Sequence, residues 1–396
     1  MPRYSFRQMT EADLAELIRV RNRVFTGHPL TPADWNDDET CVLAFEDERM
    51  VGAIPLDMRE FLITPEVSIR TAFENSVGVV DGMRGKGLGT KMLDCAAEFL
   101  RPDCHALFVY RGGETSAAYR FYKKTGHVDL HFTRNFVLPN PPALTDSHLV
   151  LEEIRRCLEH EEQLLTIFHD SYRGMAGFPR REPGYWKTAL DCHIFQEMVY
   201  DDLHFAALRT TEGAPEAYAL LAYWEEKAQI TILEMAVSGG REELWEELLR
   251  EIAHLAKRRG ASVILPSSDT LPCLAVLTRL GFRPGPRGRI ILAKILRHKD
   301  VFDRIWRGGE TLQDLKLTLW TPEFQFVALE GQSGGPDVTL EMKDDVLTRL
   351  LLARLDVPSA LREERITAYG ADPGLLRQIA AALPFCPWIY HHLDDI

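Results

Sequence analysis

The chain has 396 residues, 45% of them hydrophobic and 27% charged, with a formal net charge of −13 at pH 7. This length exceeds one ordinary domain, and the composition is that of a soluble globular protein. The acidic balance disfavours nucleic acid as a partner, because phosphate binding needs a basic surface. The start of the chain lacks a signal-peptide pattern, and no apolar run approaches a membrane span. We therefore expect a cytoplasmic protein that does not bind membranes.

The seven cysteines are scattered along the sequence, and no two of them form a close pair. An odd number without pairing predicts neither a disulfide framework nor a zinc knuckle. We expect reduced thiols that mostly fill the core, and no bound metal. No cysteine lies in a recognisable nucleophile context, which disfavours a covalent acyl-enzyme route.

Two interruptions divide the sequence. The run Pro-Asn-Pro-Pro at 139–142 cannot continue a helix or a central strand. A second break lies near 297–300, after the strand-like stretch 290–293. The sequence thus predicts three segments of domain size, at 1–145, 146–297 and 298–396.

The first segment alternates strands and helices along the chain. Thr10 and Asp13 have the spacing of a capping box and predict the start of a helix. Two apolar runs around the polar turn 46–49 predict a hairpin. The elements expected after it are a short strand at 77–80, a helix at 88–100, a strand at 106–109 and a helix at 116–124. This order is typical of an α/β fold, more loosely α+β.

Between the strand at 77–80 and the next helix lies the glycine-rich stretch 84–90, Arg-Gly-Lys-Gly-Leu-Gly-Thr. Glycines at alternate positions let the backbone approach a ligand closely, and the amides at the helix start form an anion nest. Lys86 and Lys91 add positive charge, so a pyrophosphate is the natural ligand. Gly87 after Lys86 excludes a nucleoside triphosphatase loop, and Thr90 excludes a dinucleotide fingerprint.

Two motifs resemble the GCN5-related N-acetyltransferases. Arg84, Gly87 and Gly89 supply the acetyl-CoA signature of that family, and 118–127 is similar to its Phe-Tyr-x-Lys-x-Gly-Phe motif, with His127 in place of the usual aromatic residue. The resemblance implies acetyl-CoA as the co-substrate. The residues expected to bind it are Gly78, Val79, Val80, Arg84, Gly85, Lys86, Gly87, Leu88, Gly89, Thr90, Ala117 and Ala118.

In this chemistry a neutral amine attacks the thioester directly. Backbone N–H groups near Gly78 to Val80 are expected to hold the thioester carbonyl. Tyr122 is the expected general acid toward the departing sulfur, because a phenol with a pKa of about 10 keeps its proton at neutral pH. Tyr119, one turn earlier, is the fallback, and a purely structural Tyr122 is the alternative interpretation.

The whole chain resembles the enhanced intracellular survival type of aminoglycoside acetyltransferase. The features that carry this resemblance are the Arg and Trp residues of 180–186, the stretch 352–370 and the run 385–388. The resemblance implies tandem acetyltransferase domains, a sterol-carrier-protein-like third domain and a hexamer. It also implies that the C-terminal carboxylate, here that of Ile396, is the base; the alternative is a tail docked only for stability. His391 and His392, without a third spaced ligand, predict no metal site.

An internal repeat indicates which half is active. Val80 to Gly126 spans 46 positions and Val237 to Gly281 spans 44, with the same order of loop, helix, strand and helix. The second loop places Glu242 and Glu243 at the helix start, where they would repel a pyrophosphate. Leu277 occupies the position that Tyr122 has in the first copy, so we expect the second copy to be catalytically inactive.

Asp34 and Trp35 follow the first helix, where this fold lines its acceptor pocket. An acid beside an indole suits a cationic amine such as an aminoglycoside or polyamine; a solvated acidic loop with one packing Trp is the alternative. The sequence thus predicts an N-acetyltransferase for a small primary amine. The competing hypotheses are a protein that binds an apolar ligand and senses coenzyme A, and a peptide or protein N-acetyltransferase.

Overall fold

The structure is a computed structural model. It describes residues 3–25, 29–32, 35, 39–75, 77–142, 148–191, 200–332 and 334–395.

The first third of the chain contains seven strands and three α-helices within the described residues. They are β1 (Tyr4–Gln8), α1 (Leu14–Val24), β2 (Glu39–Glu46), β3 (Arg49–Thr64), β4 (Val67–Glu74), β5 (Gly78–Val79), α2 (Leu88–Leu100), β6 (Ala106–Gly112), α3 (Ala117–Lys124) and β7 (Val128–Leu138). The predicted hairpin and the predicted helices are confirmed. Asp13 accepts a hydrogen bond from the Thr10 N–H at 2.8 Å, as the capping box requires.

The middle third repeats this order. Its described elements are β8 (Val150–Glu153), α4 (Glu161–Ser171), β9 (Phe178–Pro179), α5 (Tyr185–Asp191), β10 (Asp202–Arg209), β11 (Pro215–Trp224), β12 (Gln229–Val237), α6 (Glu242–Arg258), β13 (Ser262–Ser267), α7 (Leu274–Arg279) and β14 (Arg283–Ile295). The elements β12, α6, β13 and α7 follow one another as β5, α2, β6 and α3 do, which confirms the internal repeat.

The last third forms a separate four-stranded sheet with helices around it. Its elements are α8 (His298–Ile305), β15 (Lys316–Trp320), β16 (Gln325–Glu330), β17 (Asp337–Met342), α9 (Asp344–Leu351), α10 (Val357–Arg362), β18 (Ile366–Tyr369) and α11 (Pro373–Ala382). The strand order is β16-β15-β17-β18.

One continuous sheet joins the first two thirds, in the order β1-β2-β3-β4-β6-β14-β7-β13-β12-β11-β10-β8 over the described residues. We call the first and middle thirds of the chain the first and second halves of this sheet. These two halves exchange their last strands: β14 pairs antiparallel with β6 of the first half, and β7 pairs antiparallel with β13 of the second. The exchanged strands also pair with each other. Each half therefore completes its sheet only with the other half present.

The C-terminal tail packs against the face of the sheet that the third segment covers. Trp388 is fully buried, and its indole N–H donates to the Ile63 carbonyl at 3.1 Å. The Ile389 N–H donates to the Ala176 carbonyl at 2.8 Å. The tail thus lies between the first and second halves. No helix in the described part of the chain is long and apolar enough to cross a bilayer.

Candidate active site

The first half opens a cleft where two parallel strands separate. β4 and β6 pair in parallel only over 71–73 and 106–108. Beyond that point β5 pairs with β3 on one side, while β6 continues and pairs with β14 on the other. We call the gap between residues 74, 75 and 77–80 on one side and residues 109–113 on the other the first cleft. Gly78, Val79 and Val80, predicted to hold the thioester, line one side of it.

The glycine loop leads from this cleft into α2. Gly82, Gly85 and Gly87 adopt φ angles of 81°, 79° and 75°, in the left-handed region that favours glycine. A Cβ added at any of the three would meet nothing within 4 Å, so the loop faces open space. The helix begins after Gly87 without a side-chain cap, and Arg84 and Lys86 are exposed beside it. Uncapped amides and two cations fit a pyrophosphate.

The other residues of this stretch that were predicted to bind acetyl-CoA differ in their burial and packing. Leu88 is buried in the core, so only its backbone faces the loop. A Cβ on Gly89 would lie 3.1 Å from Cζ of Phe121, so this glycine permits close packing of α2 against α3. Thr90 is exposed on the first turn of α2.

Ala117 and Ala118 form the exposed first turn of α3 across the cleft. Ser116 caps this helix by accepting from the Tyr119 N–H at 3.0 Å. The Tyr119 phenol donates to Asp129 at 2.8 Å. Burial and this hydrogen bond raise the pKa of Tyr119 to about 12. Since its proton is held by a carboxylate, Tyr119 is the weaker candidate acid.

Buried polar atoms without partners collect where the strands separate. Phe73 and Phe108 are the last paired residues, and Glu74, Asn75 and Tyr110 follow within two positions. Glu74 Oε2, Asn75 Nδ2 and the Tyr110 hydroxyl are buried and have no hydrogen-bond partner among the described residues. Such atoms are costly unless a ligand or water satisfies them. Their position fits the polar end of a bound thioester or amine.

Tyr122 lies at the floor of the same region, with only 1% of its surface exposed. Arg111 Nη2 lies 3.5 Å from the phenol oxygen, and its guanidinium lies 5.5 Å from the centre of the ring. Burial, and after it the charge of Glu74, raises the pKa of Tyr122 well above the ordinary value of a tyrosine. The phenol is therefore protonated at neutral pH, and Arg111 is placed to stabilise a phenolate.

A buried pair beside Tyr122 escaped the sequence analysis. Glu74 Oε1 and His127 Nε2 are 2.8 Å apart, and both side chains are fully buried. His127 also contacts the Thr125 hydroxyl at 3.1 Å, and its ring stands edge-on to Tyr122 at 5.1 Å. His127 departs from the family motif, and Glu74 is a carboxylate at the end of a buried strand before a glycine loop. Together those two features of the sequence could have pointed to the Glu74–His127 pair.

The C-terminal tail is anchored by a buried network between the halves. Arg59 Nη1 donates to the Asp394 backbone carbonyl at 2.9 Å. The Asp394 side chain pairs with Arg181 at 2.9 Å and accepts from the Tyr185 phenol. Arg181 also pairs with Glu234 at 2.5 Å, and neither side chain is exposed. Burial raises the pKa of Asp394. Removing one partner from such a network typically costs about 3–5 kcal/mol.

Two of the predicted site residues, Ile396 and Asp34, lie outside the described residues. The last described residue is Asp395, which lies in a 3₁₀ turn that begins at His392. Trp35 is half-buried and packs against the core of the first half.

Two cavities flank the tail. The first, which we call the Tyr185 pocket, has a volume of about 300 Å³; its charged and aromatic lining residues are Asp57, Arg59, Glu60, Arg180, Glu182 and Tyr185. The second, the arginine pocket, has a volume of about 390 Å³; it is lined in part by Gly113, Tyr200, Trp224, Arg287, Arg289 and His392. Both volumes fit a small molecule.

The second half has a corresponding cleft, and the chain itself closes it. β12 and β13 separate after Thr231 and Ile264. The Ser171 hydroxyl at the end of α4 donates to the Val237 carbonyl at 2.6 Å and accepts from its N–H at 2.7 Å. A Cβ on Gly240, in the second loop, would lie 3.8 Å from the Ser171 carbonyl oxygen. The end of α4 therefore lies where a second cofactor would bind.

The described residues give little support to a metal site or to a cysteine nucleophile. No group of three or more His, Cys, Asp or Glu side chains is arranged to hold a metal ion there. Burial raises the pKa of Cys104 and Cys386 to about 11 and that of Cys157 to about 12, so these thiols are poor nucleophiles at neutral pH.

Comparisons with solved structures show the same fold over nearly the whole chain. A probable N-acyltransferase from Enterococcus faecalis V583 matches with a TM-score of 0.71 at 13% identity, covering 99% of this chain and 100% of that chain. A GCN5-related N-acetyltransferase from Anabaena variabilis matches with a TM-score of 0.66 at 14% identity, covering 98% and 99%. Eis1 from Mycobacterium abscessus matches with a TM-score of 0.62 at 13% identity, covering 97% and 99%. At these identities the likeness establishes the fold alone.

Sequence comparison adds the family of the first half. No curated protein matches the chain significantly. Residues 11–127 match the model of the acetyltransferase (GNAT) family, a stretch that contains the first cleft, the glycine loop and Tyr122. Residues 11–127 are thus similar to the acetyltransferase (GNAT) family, which uses acetyl-CoA, and the whole chain shares its fold with solved structures described as N-acyltransferases or N-acetyltransferases.

Proposed function

We propose that the protein transfers an acetyl group from acetyl-CoA to a primary amine in the first cleft, by direct attack. The observation that carries the proposal is the coincidence of the uncapped glycine loop with unpartnered polar atoms at Glu74, Asn75 and Tyr110. Acetyl-CoA supplies the thioester that the amine attacks. Arg84 and Lys86, with the amides of the loop, would hold its pyrophosphate.

Tyr122 acts in this proposal as the general acid. Its hydroxyl donates a proton to the departing sulfur, and Arg111, 3.5 Å from that oxygen, stabilises the phenolate that remains. Glu74 and His127 fix the floor on which the Tyr122 ring rests. Backbone N–H groups of 78–80 would stabilise the negative charge on the carbonyl oxygen.

The Ile396 carboxylate is the proposed base. What supports it is the anchoring of Asp394, two residues earlier, by Arg59 of β3 and by Arg181. Deletion of Ile396 moves the carboxylate back by one residue and should lower turnover by about tenfold or more. The Ile396→Ala variant keeps a terminal carboxylate in place and should retain most activity. Equal activity in the deletion and in Ile396→Ala would remove the terminus from the mechanism.

The sequence predicts a cationic acceptor of the aminoglycoside or polyamine class. The net charge of −13 supports this class through long-range attraction. The Tyr185 pocket supports it further, since three carboxylates and two guanidinium groups line it. The resemblance to the enhanced intracellular survival type supports three further parts of the proposal. The protein is cytoplasmic, it assembles into a homo-hexamer, and its third domain is sterol-carrier-like. Light scattering measures the oligomeric state.

The alternative of a protein that binds an apolar ligand is less well supported. The inward side chains of the third segment, among them Leu317, Leu319, Val338 and Leu340, are at most 1% exposed and pack against one another. A tightly filled core leaves little room for a lipid. A peptide or protein N-acetyltransferase differs only in its acceptor and is tested by the same assay.

The decisive experiment measures release of free thiol from acetyl-CoA, with and without aminoglycosides, polyamines, amino acids and peptides. Amine-dependent release and mass-spectrometric detection of the N-acetylated product are the expected results. The proposal would be overturned if no amine in the panel caused thiol release and no binding of acetyl-CoA were detectable.

A further inference from the structure

A fully buried carboxylate lies at the point where the strands of the first cleft separate. Glu74 is the last residue of β4, and its Oε1 atom lies 2.8 Å from Nε2 of His127, the residue just before β7. Neither side chain is exposed. Burying a carboxylate is costly unless a charge or hydrogen bonds compensate it. The contacts of His127 indicate what this costly arrangement contributes.

His127 connects this carboxylate to Tyr122. The His127 backbone N–H donates to the Tyr122 carbonyl at 3.1 Å, and the His127 Nδ1 atom lies 3.1 Å from the Thr125 hydroxyl. That hydroxyl donates to the same Tyr122 carbonyl at 2.9 Å. The His127 ring stands edge-on to the Tyr122 ring, with 5.1 Å between the two centres. Glu74 thus fixes the imidazole, and the imidazole in turn contacts the phenol ring.

The orientation of the Tyr122 ring decides where its hydroxyl lies. Arg111 Nη2 is 3.5 Å from the phenol oxygen, and the guanidinium is 5.5 Å from the ring centre. Burial and the charge of Glu74 raise the pKa of Tyr122, and Arg111 acts against them. Rotation of the ring would move the hydroxyl away from the guanidinium that stabilises the phenolate. Misplacing a reacting group by about 1 Å can cost about a hundredfold in rate.

We propose that Glu74 and His127 are positioning residues for the general acid, holding the Tyr122 ring so that its hydroxyl stays beside Arg111 while it donates to the departing sulfur. This inference rests on the proposed function and deepens it, because it gives a role to two buried residues that transfer no proton themselves. The alternative is a pair that only stabilises the fold. The two roles predict different results when the Tyr122 hydroxyl is removed.

The test is the His127→Leu substitution, made in the natural sequence and in a Tyr122→Phe background. In the natural sequence we expect kcat for thiol release to fall about tenfold to a hundredfold, with acetyl-CoA affinity unchanged in titration calorimetry. In the Tyr122→Phe background the same substitution should change the residual kcat by less than about twofold, because effects that act through one group are not additive. Glu74→Gln keeps a hydrogen-bond acceptor for His127 and should retain most of kcat.

Two further variants separate positioning from folding. The double variant Glu74→Leu with His127→Leu removes the charge together with its partner, so it should recover most of the stability that His127→Leu loses, measured as the midpoint of urea unfolding. Its kcat should stay low, because leucine does not fix the Tyr122 ring. His131→Leu is the matched control: this buried histidine of β7 contacts Arg354 at 3.3 Å, and its loss should lower stability without changing kcat.

The outcomes separate the two proposals. A normal kcat in His127→Leu, an equal loss in the two backgrounds, or a double variant that recovers kcat together with stability would overturn the positioning role and leave the acetyltransferase intact. A normal kcat in Tyr122→Phe would remove the acid role and this inference with it. If the unmodified protein releases no thiol with any amine, the acetyltransferase proposal itself fails.

Discussion

The two halves share one framework, but within the described residues their glycine loops and strand ends have different surroundings. In the first, the loop glycines face open space and the strand ends carry unpartnered polar atoms. In the second, Ser171 satisfies both backbone groups of Val237, and the end of α4 lies against the loop. The tail also lies against this half, since the Ser267 hydroxyl donates to the Tyr390 carbonyl at 3.0 Å.

This difference shows that two copies of a repeated fold can keep the same architecture while the groups at their strand ends are satisfied differently. The backbone groups that a cofactor would use in the second half must be satisfied in its absence, because buried unpaired groups are costly. The Ser171 side chain at the end of α4 meets that need for Val237. The second half still supplies β14 to the first sheet and Arg181 to the tail anchor. The second half therefore supports the sheet of the first half and the tail.

The largest expected effect concerns the acid. Tyr122→Phe should lower kcat by about 10²–10⁴-fold and leave acetyl-CoA affinity unchanged, because only the proton donor is removed. Leu277→Met, at the equivalent position of the second half, should leave kcat unchanged. Thiol release and isothermal titration measure both quantities. A loss of acetyl-CoA binding with normal kcat would contradict the acid role.

The same charge reversal in the two loops should have unequal effects. Arg84→Glu should weaken acetyl-CoA binding by about tenfold to a hundredfold, since one charge-assisted contact is worth about 1.5–3 kcal/mol. Arg241→Glu, at the matching position of the second loop, should leave the affinity unchanged. Titration calorimetry measures both. Equal weakening would mean that the second loop also binds the cofactor.

Ser171→Ala should lower the free energy of unfolding by about 1–3 kcal/mol, because the Val237 backbone groups lose their partner. Turnover should stay unchanged, with one acetyl-CoA bound per chain. Thr166→Ala, an exposed hydroxyl on the same helix, is the control and should change stability by less than about 0.5 kcal/mol. Binding of a second acetyl-CoA in Ser171→Ala would show that this plug alone silences the second half.

The smallest expected effect is a pH dependence of stability in the tail. His391 is buried among Phe168, Tyr172 and Phe178, and burial lowers its pKa well below the ordinary value. The unfolded chain therefore binds a proton that the folded chain does not, so stability is complete above about pH 6.5 and falls as the pH decreases.

The His391→Phe variant tests this dependence. It should reduce the slope of unfolding free energy against pH below about 6.5 by up to about 1.4 kcal/mol per unit. Urea unfolding at several pH values measures the slope. An unchanged slope would show that His391 is protonated in the folded protein.

Local signals in the sequence were sufficient to predict the backbone of the glycine loop and the start of the first helix. The glycines of 84–89 need left-handed backbone or close packing, and the Thr10 and Asp13 spacing fixes a helix start, whatever the rest of the chain does. The 46- and 44-residue repeat predicted the paired halves. Leu277 and the acids at 242–243 marked the second copy as the weaker candidate.

Other features depended on residues far apart in the sequence. The exchange of β7 and β14 is invisible to periodicity, because an alternating strand pattern does not specify which neighbouring strand it pairs with. Glu74 and His127 are 53 positions apart, and Arg59 and Asp394 are 335 apart. Burial and partners decide what such polar groups do.

The sequence by itself therefore determined the α/β elements and the position of the glycine loop, and it predicted the candidate acid, since each is specified by a short run of residues. Only the tertiary structure decided that α4 and the tail lie against the strand ends of the second half, and that the Asp394 carboxylate is buried between Arg181 and Tyr185. Both outcomes depend on which distant segments come together, and the free energy of burying charged and polar groups selects that arrangement.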